Sequence, residues 1–539
     1  MRRRAYLVNP MHDYPSYNTS EVLAARGYRA GSPTAELNLP TLSTMAAKHL
    51  DVQICDEILT PVDFDTSAEI VGITGKISQL HRMQWMADEF RRRGKTVVIG
   101  GPHASLVPQS LRPHCDVLVI GEIEEIADEL FSDLAAGTFK DEYVGSRPDL
   151  SLSPLPDWTA YPNDRVITGI IQISRGCPFE CEFCDVIPYL GRKQRHKTDE
   201  QITGELDHLY QLGYRSVYIA DDNFTATRKR AKQILLVLQE WNQRQTRGTV
   251  RFNTPVSLDA AKDEEILQLC AEAGLTRVFI GIETPNVDSL KETKKRQNLK
   301  VDIQAQVQRF LDYGMAVTGG MIVGFDNDGP DIFERQYEFA MESPIPIYTL
   351  GALVAPAQTP LYNRLERDGR LVPEDTKNVM QSLHSNIIPI RMTREQLTEG
   401  IRWLSNKLYH PAAFGERVVN MIDKIAPRTA LQGGAGAPQN PPPRPIEHDV
   451  NDLVKGIAKI GPDEELMMER INKALAKQPD LRGTVNSFLF RYMQIRYMYE
   501  QENYWEPALA GTSAPDLSPP PPGAVLHKLR GPSSLDVVG

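Results

Sequence analysis

The chain has 539 residues, of which 41% are hydrophobic and 24% charged, and its formal net charge is −10. That length exceeds one hydrophobic core and predicts two or three domains. The acidic balance excludes a chain built to coat nucleic acid, which needs a basic face, and no uncharged apolar run is long enough to span a bilayer. The basic start Arg2-Arg3-Arg4 resembles a signal n-region, but the apolar run behind it ends at Asn9-Pro10. No h-region follows, so a cytoplasmic location is the expectation.

Short apolar runs at 5–8, 52–55, 70–74, 96–100 and 117–120 alternate with helical patterns at 42–50, 80–93 and 125–135. This rhythm predicts a Rossmann-like parallel sheet with helices on both faces, over residues 1–140. Two of its strands end in glycine, at Gly100-Gly101-Pro102-His103 and at Gly121-Glu122. Each is a tight turn needing positive φ, or bare backbone for a ligand at the carboxyl edge; together they favour a small-molecule site. Residues 141–165, with Pro148, Pro154, Pro156 and Pro162, read as a linker.

A second alternating region covers 166–355. Its strands are expected at 166–173, 216–220, 250–253, 277–282, 316–323 and 347–354, with helices at 199–212, 228–245, 263–273, 301–313 and 331–341. Six strands alternating with helices predict a partial (βα)6 barrel, with an open sheet as the alternative. A helical extension is expected at 356–430, a Gly/Pro-rich linker at 431–446, a helical segment at 447–505 and a disordered tail at 512–539. The aromatic stretch 488–499 reads as a packing face, or as a lid over a hydrophobic substrate. The basic runs Arg91-Arg92-Arg93 and Lys294-Lys295-Arg296 read as solvated faces or turns.

Of six cysteines, Cys55, Cys115 and Cys270 stand alone, while Cys177, Cys181 and Cys184 fall within eight residues. That distribution is not a secreted disulfide framework and fits a reducing compartment. The spacing C-x3-C-x2-C begins where the first barrel strand ends. Three thiolates suit three irons of a [4Fe–4S] cubane and leave the fourth iron open, as a catalytic site requires. A zinc site and a purely structural cluster are the alternatives; His196 lies twelve residues beyond Cys184.

The motif, with Phe183 just before its last cysteine, resembles the signature of the radical S-adenosylmethionine (radical SAM) superfamily. The resemblance implies that the open iron chelates S-adenosylmethionine and that an electron cleaves it to a 5′-deoxyadenosyl radical. It further implies an electron donor such as flavodoxin or ferredoxin. Asp222 and Asn223, then Asp221, are the candidates for the methionine amino group, at the end of the second barrel strand. Glu283, in Gly281-Ile282-Glu283-Thr284, and Ser257 are expected near the cofactor, and glycines 319, 320 and 324 near its adenine.

A Rossmann-like domain directly before such a barrel resembles the cobalamin-dependent branch, in the subgroup that includes the hopanoid C-2 methylase. The resemblance covers about residues 1–430 and rests on Cys-Pro-Phe-Glu-Cys-Glu-Phe-Cys-Asp, Asp-Asp-Asn-Phe, Gly-Ile-Glu-Thr-Pro-Asn and Gly-Phe-Asp. It implies cobalamin held at Gly100, Gly101, Gly121 and Glu122, and C-methylation of an unactivated carbon in a hydrophobic small molecule or lipid. S-adenosylhomocysteine, 5′-deoxyadenosine and methionine would then form in equal amounts. Two departures bear on this. No Asp-x-His-x-x-Gly element offers a histidine to cobalt, and Ile123 stands where the branch often has glycine, which leaves a vestigial first domain as the alternative. Radical rearrangement, cyclisation or coupling without methyl transfer is the other enzymatic reading, and a non-catalytic iron–sulfur protein the reading from a different class.

Overall fold

The computed structural model describes residues 2–299, 301–372, 383–428 and 442–514. Its strands run in chain order β1 (Arg4–Asn9), β2 (Ser32–Thr34), β3 (Asp51–Asp56), β4 (Ile70–Thr74), β5 (Thr96–Gly100), β6 (Val117–Ile120) and β7 (Glu142–Val144). There follow β8 (Val166–Ile171), β9 (Ser174–Arg175), β10 (Arg195–His196), β11 (Ser216–Ile219), β12 (Arg251–Val256), β13 (Leu275–Glu283), β14 (Ala316–Val323) and β15 (Tyr348–Ala352).

The first sheet has the order β3-β1-β4-β5-β6-β7, parallel throughout. Both faces are covered, as an all-parallel sheet requires. Met83, Met86, Ala87 and Phe90 of the helix Leu80–Arg92 bury one face, and Leu130, Phe131 and Leu134 of the helix Ala127–Ala136 bury the other. Strand order reverses between β1 and β4, which opens a crevice at their carboxyl ends.

The second sheet runs β2-β8-β11-β12-β13-β14-β15, again parallel, a curled half-barrel. Its alternation is regular. Val217, Ile219, Phe252, Val278, Ile280 and Val317 are buried against the helices, while Tyr218, Asn253, Arg277, Phe279 and Thr318 keep accessible surface on the opposite, inner face.

Two segments depart from the expected boundaries. Residues 32–34, inside the first domain's range, add β2 to the barrel sheet beside β8. Residues 142–144, inside the expected linker, add the edge strand β7 to the first sheet, and the same segment buries Trp158 and Tyr161. Both strands are three residues long at a sheet edge, and β2 carries Pro33, which an edge tolerates. Neither has an apolar run for a sequence pattern to detect.

After β15 the described chain is mostly helical. The aromatic stretch lies in the helix Arg482–Gln501, where Phe488, Leu489, Phe490, Tyr492, Met493, Ile495, Met498 and Tyr499 are all buried. Gln494 Nε2 donates to Ser16 O (3.2 Å) and Glu21 Oε2 (2.7 Å), and Tyr499 Oη meets Tyr17 Oη at 2.6 Å. A helix buried on so many sides is a packing element. The linker's residues 431–441 and the tail's 515–539 lie outside the described residues. No helix of the described chain is long and apolar enough to cross a membrane.

Candidate functional site

The three cysteines occupy one loop at the carboxyl edge of the barrel. Gly176, at φ +95°, starts it; a Cβ there would stand 2.6 Å from Lys193 O, so only glycine fits. Cys177 N donates to Gly191 O (3.1 Å), and Cys184 N to Cys181 O (3.2 Å). Glu182 anchors the middle: its N–H donates to Thr293 O (3.0 Å), and its carboxylate accepts from Arg364 at 3.1 and 3.0 Å. Arg364 also donates to Asp326 Oδ2 at 2.6 Å. Cys181 is buried, and Cys177 and Cys184 partly so. Burial pushes the Cys184 thiol up to about 12 and raises Cys177, with Cys181 adding to both and Lys295 opposing. Among the described residues no three His, Cys, Asp or Glu side chains converge on a single metal ion. Cys181 is in electrostatic range of both Cys177 and Cys184, and three thiols on one loop suit three corners of a cubane.

The polar residues at the strand ends divide in role. Asp221 Oδ1 accepts from Ile173 N (2.8 Å) and Ser174 N (2.9 Å), and Oδ2 from Ser174 Oγ (2.5 Å). Its carboxylate fixes the start of the cysteine loop. Asp222 Oδ2 accepts from Gly176 N (2.7 Å), and its other oxygen has no partner among the described residues. Burial lifts Asp222 to about 6; the Gly176 N–H, Arg175 and Arg195 oppose, and Asp185 adds. Asn223 Oδ1 accepts from Thr225 Oγ1 (3.3 Å), which also meets Ser257 Oγ (3.3 Å). The structure thus brings Asp222, Asn223 and Ser257 to adjoining strand ends, joined through Thr225.

Glu283 closes the other side. It has φ +65°, a strained value for a side-chain-bearing residue, beside a register slip between Gly281 and Glu283. Asn298 Nδ2 donates to the carbonyls of Gly281 (2.9 Å) and Ile282 (3.0 Å), and Gln336 Nε2 to that of Glu283 (3.1 Å), holding the turn. Glu283 Oε1 accepts from Lys295 Nζ at 2.6 Å. Burial works against charge on Lys295, but Glu283, Cys181 and Cys184 outweigh it and hold the ammonium above the usual lysine range. Lys295 is therefore not the solvated basic residue expected from Lys294-Lys295-Arg296. Gln297 Nε2 reaches Cys181 Sγ at 3.6 Å, another contact the sequence did not announce. Phe183 packs beside Phe325, ring centres 6.2 Å apart, with Lys295 Nζ 5.9 Å over its face. Of the adenine glycines, Gly320 faces Phe279 and Glu283 on the inner side, whereas Gly319 lies against the Tyr348 ring.

A cavity of 340 Å³ joins the two sheets. Gly72, Gly75, Gly100, Gly101 and Gly121 line it with bare backbone from the first sheet, backed by Leu7, Val98 and Leu130. Ile170, Gln172, Arg175 and Ala220 line it from the barrel. Ile123 is also in the wall, and no histidine is. His103 turns aside to Ser110 Oγ (3.0 Å). Glu122 is also in the wall, where it accepts from Arg175 Nη1 (2.7 Å) and from Arg195 Nη2 (2.6 Å) and Nη1 (2.9 Å). Its carboxylate ties the first domain to the cysteine loop.

A thiol-bearing loop at the carboxyl edge of a partial parallel barrel, facing a Rossmann-like sheet across one cavity, defines a two-module α/β enzyme. Residues 171–340 match the radical SAM superfamily, and residues 359–461 a domain of unknown function, DUF4070. An uncharacterized methyltransferase of Synechocystis is 34% identical over 426 residues, 77% of each chain. The hopanoid C-2 methylase of Rhodopseudomonas palustris is 37% identical over 316 residues, 58% of this chain and 60% of that one. The methyltransferase TsrM of Kitasatospora setae, solved with cobalamin and a [4Fe–4S] cluster, shares the fold with a TM-score of 0.57 at 16% identity, over 88% of this chain and 100% of that one. The chain belongs to the radical SAM superfamily and is a radical SAM enzyme.

Proposed function

We propose that the protein is a cobalamin-dependent C-methyltransferase that acts on an unactivated carbon of a hydrophobic small molecule or lipid. The observation that carries this reading is the cavity, which puts the glycine-lined edge of the first sheet and the ends of β8 and β11 in one space beside the cysteine loop. When bound, a [4Fe–4S] cluster with S-adenosylmethionine supplies the hydrogen-abstracting radical, and cobalamin supplies the methyl group.

The chain's own residues supply the frame. Cys177, Cys181 and Cys184 hold three irons. Asp222, through its free oxygen, and the Asn223–Thr225–Ser257 group orient the amino end of S-adenosylmethionine. Glu283, fixed by Lys295, faces the same cofactor, with Phe183 as an apolar wall. The residues of the cavity fit a corrin: glycine backbone at Gly100, Gly101 and Gly121 admits a flat macrocycle, and the apolar slot behind it takes a nucleotide tail. No histidine lines the cavity, so none of its residues would offer an imidazole to cobalt. We further place the enzyme in the cytoplasm, with flavodoxin or ferredoxin as its electron donor.

The test is anaerobic reconstitution with iron, sulfide and corrin quantified together, then turnover of trideuteromethyl S-adenosylmethionine under dithionite. Bound corrin, with 5′-deoxyadenosine and S-adenosylhomocysteine formed together, is the expected result. 5′-Deoxyadenosine without S-adenosylhomocysteine would remove the methylase reading.

A further inference from the structure

The inner face of the half-barrel carries a charge that the chemistry above does not use. Arg277, near the start of β13, and Arg491, from the helix Arg482–Gln501, both border the amino end of the barrel. Arg277 Nη1 donates to Ser487 Oγ (3.0 Å) and Nη2 to Asn253 Oδ1 (3.5 Å); Arg491 Nη1 donates to Asn18 Oδ1 (2.8 Å). All these acceptors are neutral, and neither arginine has a carboxylate within salt-bridge reach among the described residues. Burial comes first in holding Arg491 down to about 10, and the Arg277 charge comes second; burial also lowers Arg277, with Tyr218 opposing. Arg428 is also in range of Arg277, but its guanidinium donates to the carbonyls of Gly314 (2.8 Å) and Thr276 (3.0 Å) and to Thr484 Oγ1 (3.3 Å), a structural use.

Two like charges enclosed together without a counter-ion are costly, and an anion bound between them would offset that cost. Taken as whole residues, both arginines are half-buried. Above them the inner face is largely apolar and aromatic, with Phe279 and Pro255, and with Tyr218, whose hydroxyl has no partner among the described residues. Arg277 and Glu283 are separated by six residues of one strand, about 20 Å at the rise of a β-strand.

We infer that Arg277 and Arg491 form the floor of the substrate site and bind a terminal oxyanion, so the substrate is a hydrophobic acid whose reactive carbon lies at the end away from its anionic group. This deepens the proposed function and rests on it for the identity of the barrel's interior as the substrate chamber. Guanidinium forks suit carboxylate and phosphate alike. Hydrogen bonds to Ser487 and Asn253 hold Arg277 in place without neutralising it, which leaves the charge for a ligand.

The test needs no turnover. The cluster-loaded protein is titrated with cis-parinaric acid, whose fluorescence rises on apolar enclosure, and with its methyl ester. The acid is expected to bind at least about tenfold more tightly than the ester, as for a charge-assisted anchor. In the double variant Arg277→Gln/Arg491→Gln the two should bind alike, with iron and sulfide per chain reporting that the variant is folded. If that variant does not fold, Arg277→Lys, which keeps the charge and loses the fork, should give an intermediate ratio. Decanoate and decyl phosphate as competitors separate the two anion sources, and displacement by either supports the anchor. Equal binding of acid and ester by the native chain, or an unchanged preference in the variants, would overturn it. Absent methyl transfer would defeat the proposed function and leave this ratio standing.

Discussion

Replacing Lys295 by methionine removes the ammonium 2.6 Å from Glu283 while keeping the side chain's length. The two side chains are only 13% and 8% exposed, so Glu283 would be left charged in a poorly hydrated site. Breaking a buried pair from one side costs about 3–5 kcal/mol. The residual exposure toward the barrel interior places this pair near the lower end, at about 3 kcal/mol. With an m-value of about 3 kcal/mol/M, the urea midpoint falls by about 1 M. The assay is urea-dependent pulse proteolysis of the cluster-free chain, in which cleavage reports the unfolded fraction. Neutralising both partners, Lys295→Met with Glu283→Gln, should cost much less than the sum of the single changes, because no unpaired charge remains. A coupling of about 3 kcal/mol is expected. Additive single effects, or a Lys295→Met midpoint within about 0.3 M of the native one, would show that the pair is not the electrostatic clamp its geometry describes.

Three further outcomes follow from the same site. Any single change of Cys177, Cys181 or Cys184 to alanine should remove most of the bound iron and all 5′-deoxyadenosine formation, while Cys55→Ala, Cys115→Ala and Cys270→Ala keep the iron; metal analysis and product chromatography decide. Gly176→Ala should cut iron incorporation without removing a ligand, because its Cβ would meet Lys193 O at 2.6 Å at φ +95°; full iron content would refute the strain argument. Asp222, lifted by burial to about 6, must be ionised to hold the methionine amino group, so affinity for S-adenosylmethionine should be full above pH 6 and fall by up to about tenfold per pH unit below it. Asp222→Asn should flatten that dependence. On stability the sign is opposite: a carboxyl whose folded pKa is raised stabilises the fold below about pH 4, and that contribution is lost as pH rises through about 6.

Much of this architecture can be read from the chain itself. Runs such as 70–74, 96–100, 117–120 and 316–323 are strands with those same bounds, because strands covered on both faces are near-continuous apolar segments. The cysteine loop stands out in the sequence because cysteine is scarce, six in 539 residues, and the spacing of the three is local. Lys295 was not. It stands between Lys294 and Arg296 in a run that looks solvated, and its burial comes from the segment after β13 folding back over the cysteine loop. Glu122 and Asp221 each adjoin a strand end, but the partners that hold their carboxylates lie 47 to 73 residues away and so do not show in the sequence. Arg277 and Arg491 lie in different modules of the chain, and only the packing of the last helix against the barrel makes them neighbours.

The braces explain how two cofactor sites can share one reaction. Gln172 Nε2 donates to Ala220 O (3.4 Å) at the end of β11, and Gln172 Oε1 accepts from Arg175 Nε (2.8 Å). Arg175 then pairs with Glu122 and Glu124, each at 2.7 Å, two residues before Cys177. This strip of polar contacts starts at the strand carrying Asp222, passes the base of the cysteine loop and ends in the glycine loop of the first sheet. Its ionic members are nearly dry, with side-chain exposures of 15% for Arg175, 3% for Glu122 and 2% for Glu124. A buried ion pair adds little net stability over apolar packing, but it fixes orientation, since each partner left alone is strongly penalised. Methyl transfer to a carbon radical needs the donor on one module and the radical source on the other within a narrow range of separation. A strip that resists shear between the modules meets that need.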